Sequence, residues 1–227
     1  MIYLIGGPPK CGKTTLAKKL ANEFQIPWIS ADTLQNIVWA YTPKEKHSKL
    51  FPHSYLRGES NDEFYLEHSP EQITENYIAQ GKTAYDAISM MAETYLTDND
   101  DFIVEGYQVT PEIVDRIFKK FGKEHVKAVF LVKYDEQKFI QDIHKSTTPN
   151  DWIIRKTKKE STYGLIAKMI AGYSHYFKKE AKKYEFQIFN MDNDFEIQLT
   201  SIVKDLNTKL SKSLMRKLLR KKRSIRH

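Results

Sequence analysis

The chain has 227 residues, 41% hydrophobic and 29% charged, with a formal net charge of +7, a composition ordinary for one α/β domain with a lid or an appendage. A single cysteine, Cys11, excludes an internal disulfide framework; no run reaches the roughly 20 apolar residues of a membrane span, and no basic segment precedes Ile2-Tyr3-Leu4-Ile5, so neither a transmembrane segment nor a signal peptide is expected and a cytoplasmic location is. The basic excess is local: nine Lys and Arg with no acid occupy residues 209–227, and the remaining 27 basic against 29 acidic residues leave 1–208 at a formal −2, which removes overall charge as an argument for a nucleic-acid groove in the body.

Ile2 to Ile5 is a short apolar run closed by Gly6-Gly7, the pattern of a buried parallel strand. Gly7-Pro8-Pro9-Lys10-Cys11-Gly12-Lys13-Thr14 follows and fits G-x-x-x-x-G-K-[ST] without a gap. Glycines let such a loop curl until successive N–H groups point at phosphate oxygens. The helix behind it turns the positive end of its dipole to the same anion. Gly7 to Thr14, with Thr15, are therefore expected around the phosphates of ATP or another purine nucleoside triphosphate. Lys13 belongs on the β- and γ-phosphates and the Thr14 hydroxyl on Mg²⁺. Cys11 reads as a passive loop residue, since no base has a reason to sit beside it. Lys13 to Phe24 supplies the helix, with Leu16, Ala17, Leu20, Ala21 and Phe24 on one stripe.

Pro27-Trp28-Ile29-Ser30 reads as a second strand, with Asp32 at its end and a helix from about Thr33 to Trp39. On a strand neighbouring the phosphate loop, Asp32 can accept the proton of a hydroxyl attacking the γ-phosphate. It suits a helix N-cap equally. Residues 41–70, with Pro43, Pro52, Gly58 and Pro70, are polar and predict an irregular insertion on the acceptor side, where Arg57 is a candidate substrate contact. Ile73, Tyr77, Gly81, Ala84, Ile88, Met91 and Tyr95 step by three or four and predict one long helix, which turns Gln80 toward an acceptor pocket.

Phe102-Ile103-Val104 is a third strand ending in Glu105, either an acid for the magnesium's water shell or a solvated strand end, and Gly106 keeps the backbone open beside it. Pro111 opens a helix through Phe121, and Val126 to Val132 is a fourth strand. Ser146 to Asp151, with Pro149-Asn150, is turn-like; a helix from about Glu160 to Tyr184, a strand over Phe186–Phe189 and a closing helix over Ile197–Leu210 follow. Five short strands separated by helices predict an α/β fold, a five-stranded parallel sheet wound with helices on both faces. Ligands of such sheets bind beyond the strands' carboxyl ends, where Gly6, Asp32, Glu105 and Asn190 fall. Asn190-Met191-Asp192-Asn193 are candidates to line the adenine.

With Ser30-Ala31-Asp32-Thr33-Leu34 and Ile103-Val104-Glu105-Gly106-Tyr107 plus Pro111 added to the phosphate loop, residues 2–208 resemble the small-molecule and nucleotide kinases of the P-loop class. The order is similar to 2-phosphoglycerate-kinase-like and to zeta-toxin or chloramphenicol-phosphotransferase-like proteins. The resemblance implies that Asp32 is the base or substrate anchor, Glu105 the magnesium acid and 146–160 a mobile lid. In that lid Arg155, followed by Lys156, Lys158 and Lys159, is the candidate catalytic cation for charge on the transferred group; a solvated helix start is the alternative. Trp152 reads as a hinge anchor or a cover for a bound base.

Residues 1–208 contain only three arginines, Arg57, Arg116 and Arg155, few for a protein that clamps two polyphosphates, and Arg116 belongs to a helix expected to point away. A nucleoside monophosphate is thus disfavoured as the acceptor. No H-x-E or H-x-x-x-H pair suggests zinc. The expected organisation is a kinase domain over 1–208 and a basic tail over 209–227, in which Leu210, Leu214 and Leu218 recur among the cations. That tail suits RNA, an acidic membrane or a partner protein, or is a frayed end. The expected function is an ATP- and Mg²⁺-dependent transfer of the γ-phosphate to a hydroxyl of a small molecule. The alternatives are a nucleoside or nucleotide kinase, a kinase of RNA ends, and a nucleotide-binding regulatory or toxin-like protein with slow hydrolysis.

Overall fold

The computed structural model describes residues 1–148 and 151–207, and the chain divides into two units, 1–193 and 194–227. In the first unit β1 (Ile2–Gly6) leads through the phosphate loop into α1 (Lys13–Phe24), then β2 (Trp28–Ser30) and α2 (Ala31–Tyr41). Three short helices, α3 (His47–Leu50), α4 (Pro52–Leu56) and α5 (Asn61–Glu67), precede α6 (Pro70–Gly81) and α7 (Tyr85–Thr97). β3 (Phe102–Glu105), α8 (Pro111–Phe121), β4 (Val126–Val132), α9 (Glu136–His144), α10 (Trp152–Lys156), α11 (Glu160–Lys183) and β5 (Ile188–Asn190) complete it. In the second unit residues 195–207 are helical. The basic tail, residues 208–210 of the closing helix, and Pro149-Asn150 lie outside the described residues. No described helix is long and apolar enough to cross a membrane.

The strands form one parallel sheet in the order β2-β3-β1-β4-β5, with Leu4 of β1 in register with Val104 of β3 and Ala128 of β4. Successive side chains on a strand face opposite ways, yet all of β1 and all of β3 are buried. Both faces of the sheet centre are therefore covered, as the uninterrupted apolar runs require. Leu16 and Leu20 of α1, Ile113 and Ile117 of α8, and Ile166, Ile170 and Phe177 of α11 are fully or almost fully buried.

Four local expectations change. Residues 41–70 are helical rather than irregular, because local devices start each turn: Pro52 stands at the first position of α4 and the Ser60 hydroxyl accepts from Glu63 N at the start of α5. The single long helix is two, α6 and α7, separated by a 3₁₀ turn over Lys82–Ala84. The Gln80 carbonyl there accepts from Thr83 Oγ1 (2.7 Å) and Gln35 Nε2 (2.9 Å), and Gly81 resists a helical continuation. α9 was not anticipated; its Asp135 cap takes Lys138 N at 2.9 Å, but only Phe139 and Ile143 are buried on it, too few to mark a stripe. The last strand begins two residues later than Phe186, at Ile188.

The sheet order carries a further correction. β2 does not adjoin the phosphate-loop strand, since β3 lies between them. Asp32 approaches the phosphate loop across the end of β3, near Glu105.

Candidate active site

The loop between β1 and α1 takes its shape from two glycines. Gly7 has φ 138°, and a Cβ there stands 2.0 Å from Leu131 O, so only glycine fits against β4. Gly12 has φ 92° and precedes α1 without any side-chain cap, which leaves the first amides of the helix for an anion. Lys13 is buried, and its Nζ donates to Pro8 O at 2.7 Å across the loop. Thr14 Oγ1 donates to Glu105 Oε1 at 3.1 Å; Thr15 is exposed one position on. Cys11 is buried, and burial pushes its thiol up to about 11, so the loop cysteine is no nucleophile near neutrality.

Glu105 is buried at the carboxyl end of β3, and burial pushes its carboxyl above the ordinary value against the opposing pull of Lys13. The Thr14 and Glu105 oxygens are hard donors of the kind Mg²⁺ takes, and among the described residues no three His, Cys, Asp or Glu gather into a cage. That donor set fits an ion held largely by phosphate and water. Gly106 permits the close approach that follows: a Cβ there meets Ala31 Cβ at 2.7 Å and Gln108 Oε1 at 2.5 Å.

Asp32 is not the cap of its helix. Ser30 is, its Oγ accepting from Asp32 N at 3.3 Å. The Asp32 carboxylate instead accepts from Gln108 Nε2 at 2.8 Å. Gln108 is fully buried, its Oε1 has no protein partner, and its Nε2 also reaches Gln35 Oε1 at 3.1 Å. The buried network continues through Gln80, which donates to Gln35 Oε1 (3.0 Å) and Tyr107 Oη (2.9 Å) and accepts from Ser54 N (2.8 Å). Gln80 does border the pocket, with its amide committed to protein partners.

Lys13, Thr14, Asp32 and Glu105 line a cleft of about 550 Å³ together with His53, Arg57, Tyr77, Trp152 and Lys156. His53 stacks on Tyr77 at 3.7 Å; burial, then the Arg57 charge, pulls it down to about 3, so the ring is neutral. Its Nδ1 has no partner. Arg57 lies over the Trp152 ring at 4.3 Å and donates from Nη2 to Asn61 Oδ1 at 2.7 Å.

The expected lid is fastened on two sides. Lys10 of the phosphate loop pairs with Asp151, whose other oxygen accepts from Ile153 N at 3.0 Å to cap α10. Asn61 Nδ2 donates to Thr157 Oγ1 at 2.9 Å, and Asp62 accepts from Lys158 N and Lys159 N.

Arg155 is placed elsewhere. Positions 152 and 156 share one face of α10 as an i, i+4 pair; both border the cleft, Lys156 also borders a second groove where it pairs with Glu59, and Arg155 lines only that second groove, with Asp62, Lys158 and Lys159. Arg116 stands 3.4 Å over the Tyr85 ring, outside the cleft as expected. Of residues 190–193, Met191 N donates to Val132 O at 2.8 Å, Asp192 accepts from Tyr134 N at 2.9 Å, and Asp192 N donates to Asn190 Oδ1 at 3.1 Å. Asp192 stands near enough to Cys11 for its charge to raise the thiol.

Sequence reasoning missed His53, Gln35 and Gln108. No sequence pattern singled them out; Gln108 lies two residues past Gly106, in a turn that the structure buries up to the cap of α8.

The model of the family described as ATPase family associated with various cellular activities (AAA) matches residues 3–150. No curated protein matches the sequence. Among solved structures, the shikimate kinase of Bacteroides thetaiotaomicron is 18% identical and aligns over 93% of this chain and 98% of its own, with a TM-score of 0.50. An unliganded sugar kinase from Janibacter sp. HTCC2649 is 12% identical over 91% of this chain and 94% of its own, with a TM-score of 0.52. At these identities the likeness is one of fold, the α/β fold of the P-loop kinases.

Proposed function

The chain belongs to the ATPase family associated with various cellular activities (AAA), and from that premise we propose that it moves the γ-phosphate of ATP, with Mg²⁺, to a hydroxyl of a small molecule. One observation carries the reading: a carboxylate in the cleft beside the phosphate loop, Asp32, held at 2.8 Å by the buried Gln108, whose amide is fixed in turn by Gln35. A helix cap needs no such support.

Bound ATP·Mg²⁺ supplies the phosphoryl group and neutralises part of its charge. Lys13 would exchange Pro8 O for phosphate oxygens, and Thr14 and Glu105 are the residues that would hold the ion through its oxygen shell. Asp32 takes the hydroxyl proton as the new O–P bond forms and the bond to the β-phosphate oxygen breaks, releasing ADP. The family description itself favours a second reading, ATP hydrolysis without an acceptor. The aromatic and cationic side chains that share the cleft with the phosphate loop support a bound acceptor over bare hydrolysis.

ADP release measured against metabolites, nucleosides and RNA 5′-hydroxyl ends separates the two. Acceptor-stimulated turnover, abolished in Lys13→Ala, is the expected result; slow hydrolysis indifferent to every acceptor hands the site to the second reading. Asp32→Asn is expected to lower kcat by roughly 10²–10⁴ while ATP affinity holds. A change under tenfold removes Asp32 from the chemistry.

A further inference from the structure

We infer that Gln108 is a positioning residue for phosphoryl transfer: its buried amide holds the Asp32 carboxylate in the orientation that an attacking hydroxyl requires. The inference rests on the kinase reading of Asp32. That residue is exposed on the first turn of α2, and water alone satisfies an exposed carboxylate. It nevertheless meets, at 2.8 Å, the Nε2 of a glutamine that is 0% exposed. The surroundings decide which end of that amide faces Asp32. Turned over, its oxygen would meet two further acceptors, Asp32 Oδ1 and Gln35 Oε1, so only Nε2 fits there.

Gln35 is itself fixed. Its Nε2 donates to Gln80 O at 2.9 Å, and its Oε1 takes Gln80 Nε2 at 3.0 Å and the Tyr107 hydroxyl. Burial, then the Asp32 charge, raises that hydroxyl well above its ordinary value, so it remains a donor. Those two donors already match the two lone pairs of Gln35 Oε1. Gln108 is a third, so the contact orients Gln108 more than it satisfies Gln35. The other end of the Gln108 amide is unfavourable for the folded chain: Oε1 is buried with no partner among the described residues. An apolar side chain of the same length would remove that orphan. Gly106 leaves the room it occupies, since a Cβ there would stand 2.5 Å from Gln108 Oε1. The sequence therefore keeps a destabilising amide whose donor aims Asp32. With Oδ1 tied to Gln108, the carboxylate no longer rotates freely, and its other oxygen is presented to the hydroxyl proton.

The test compares the full chain with Gln108→Met, which keeps the length and volume of the side chain and removes both amide atoms. ADP release is followed with the metabolite, nucleoside or RNA end that stimulates turnover most. We expect kcat to fall roughly 10–100-fold, with ATP affinity unchanged and a melting temperature equal to the parent's or higher. On an Asp32→Asn background the same substitution should change kcat less than about twofold, because Gln108 acts only through that carboxylate. Crystals of parent and variant with the Mg²⁺ complex of adenylyl imidodiphosphate should show Asp32 displaced in the variant. The inference is overturned if Gln108→Met keeps full turnover, or loses the same factor on both backgrounds. A melting temperature that falls along with turnover overturns it too, since Gln108 is then structural. Should Gln108→Met fail to fold, Gln108→Leu carries the same comparison, and failure of both again makes Gln108 structural. A parent that transfers phosphate to no acceptor sinks the kinase reading alone; Asp32 unmoved in the variant crystals sinks the role of Gln108 alone.

Discussion

Glu105 illustrates what burial does to a single residue. Folding removes its carboxylate from water, and that penalty lifts its pKa above the ordinary 4.5 despite Lys13 nearby. The folded state therefore holds the proton more tightly than the unfolded chain. The stability this contributes is complete below about 4.5 and is lost as pH rises through the folded value. In the role proposed for Glu105, magnesium nucleotide needs the ionised form, so its affinity should fall as pH drops, starting at a higher pH than an ordinary glutamate allows. Calorimetric titration of Mg²⁺·ATP from pH 8 to 5 is the check. Glu105→Gln should bind more weakly, by roughly tenfold, and lose the pH dependence; a pH dependence that survives the substitution belongs to another group. The position of Glu105 was legible as the last residue of an apolar strand. The network beside Asp32 was not: Gln108 and Gln35 are far apart in the chain, and glutamine carries no periodic or motif signal.

At the scale of elements, periodicity identified the strands and the long buried helices, α1, α8 and α11. It failed where a cap or a single carbonyl decides the outcome, as at Gln80 between α6 and α7. It failed also where an element buries two residues, as in α9. The segment over α10 was readable as a basic stretch. Which face met the cleft depended on the phase of a five-residue helix, and that phase selected Lys156 over Arg155. Asn61 joins α5 to this segment through Thr157 and holds Arg57 in place. Asn61→Ala should cost about 1–3 kcal/mol by leaving buried groups unpaired. It should also open residues 146–160 to limited proteolysis; unchanged stability together with unchanged protease resistance contradicts the fastening described for this segment.

For the whole molecule, a ligand that binds the folded chain alone must raise its melting temperature. Magnesium ATP at 100 times its Kd is expected to contribute about 2.7 kcal/mol, a shift of roughly 5–10 °C for a chain of this length. Lys13→Ala should show none. A parent protein whose melting point ignores ATP lacks the binding site that the loop geometry describes.

The amino-acid sequence by itself determined the phosphate loop, because eight consecutive residues contain all of its physics: two glycines for curvature, a lysine, a hydroxyl and a helix start. It also determined the parallel sheet, since short apolar runs alternating with amphipathic stripes leave few other ways to cover both strand faces. The tertiary structure alone decided the acceptor side. Asp32 meets Gln108 and Arg57 meets Trp152 only after strands have been ordered and helices phased. Each of those contacts is a meeting of side chains distant in sequence, 76 positions apart in the first case. No local pattern records such a meeting, because its free energy comes from packing the two segments together.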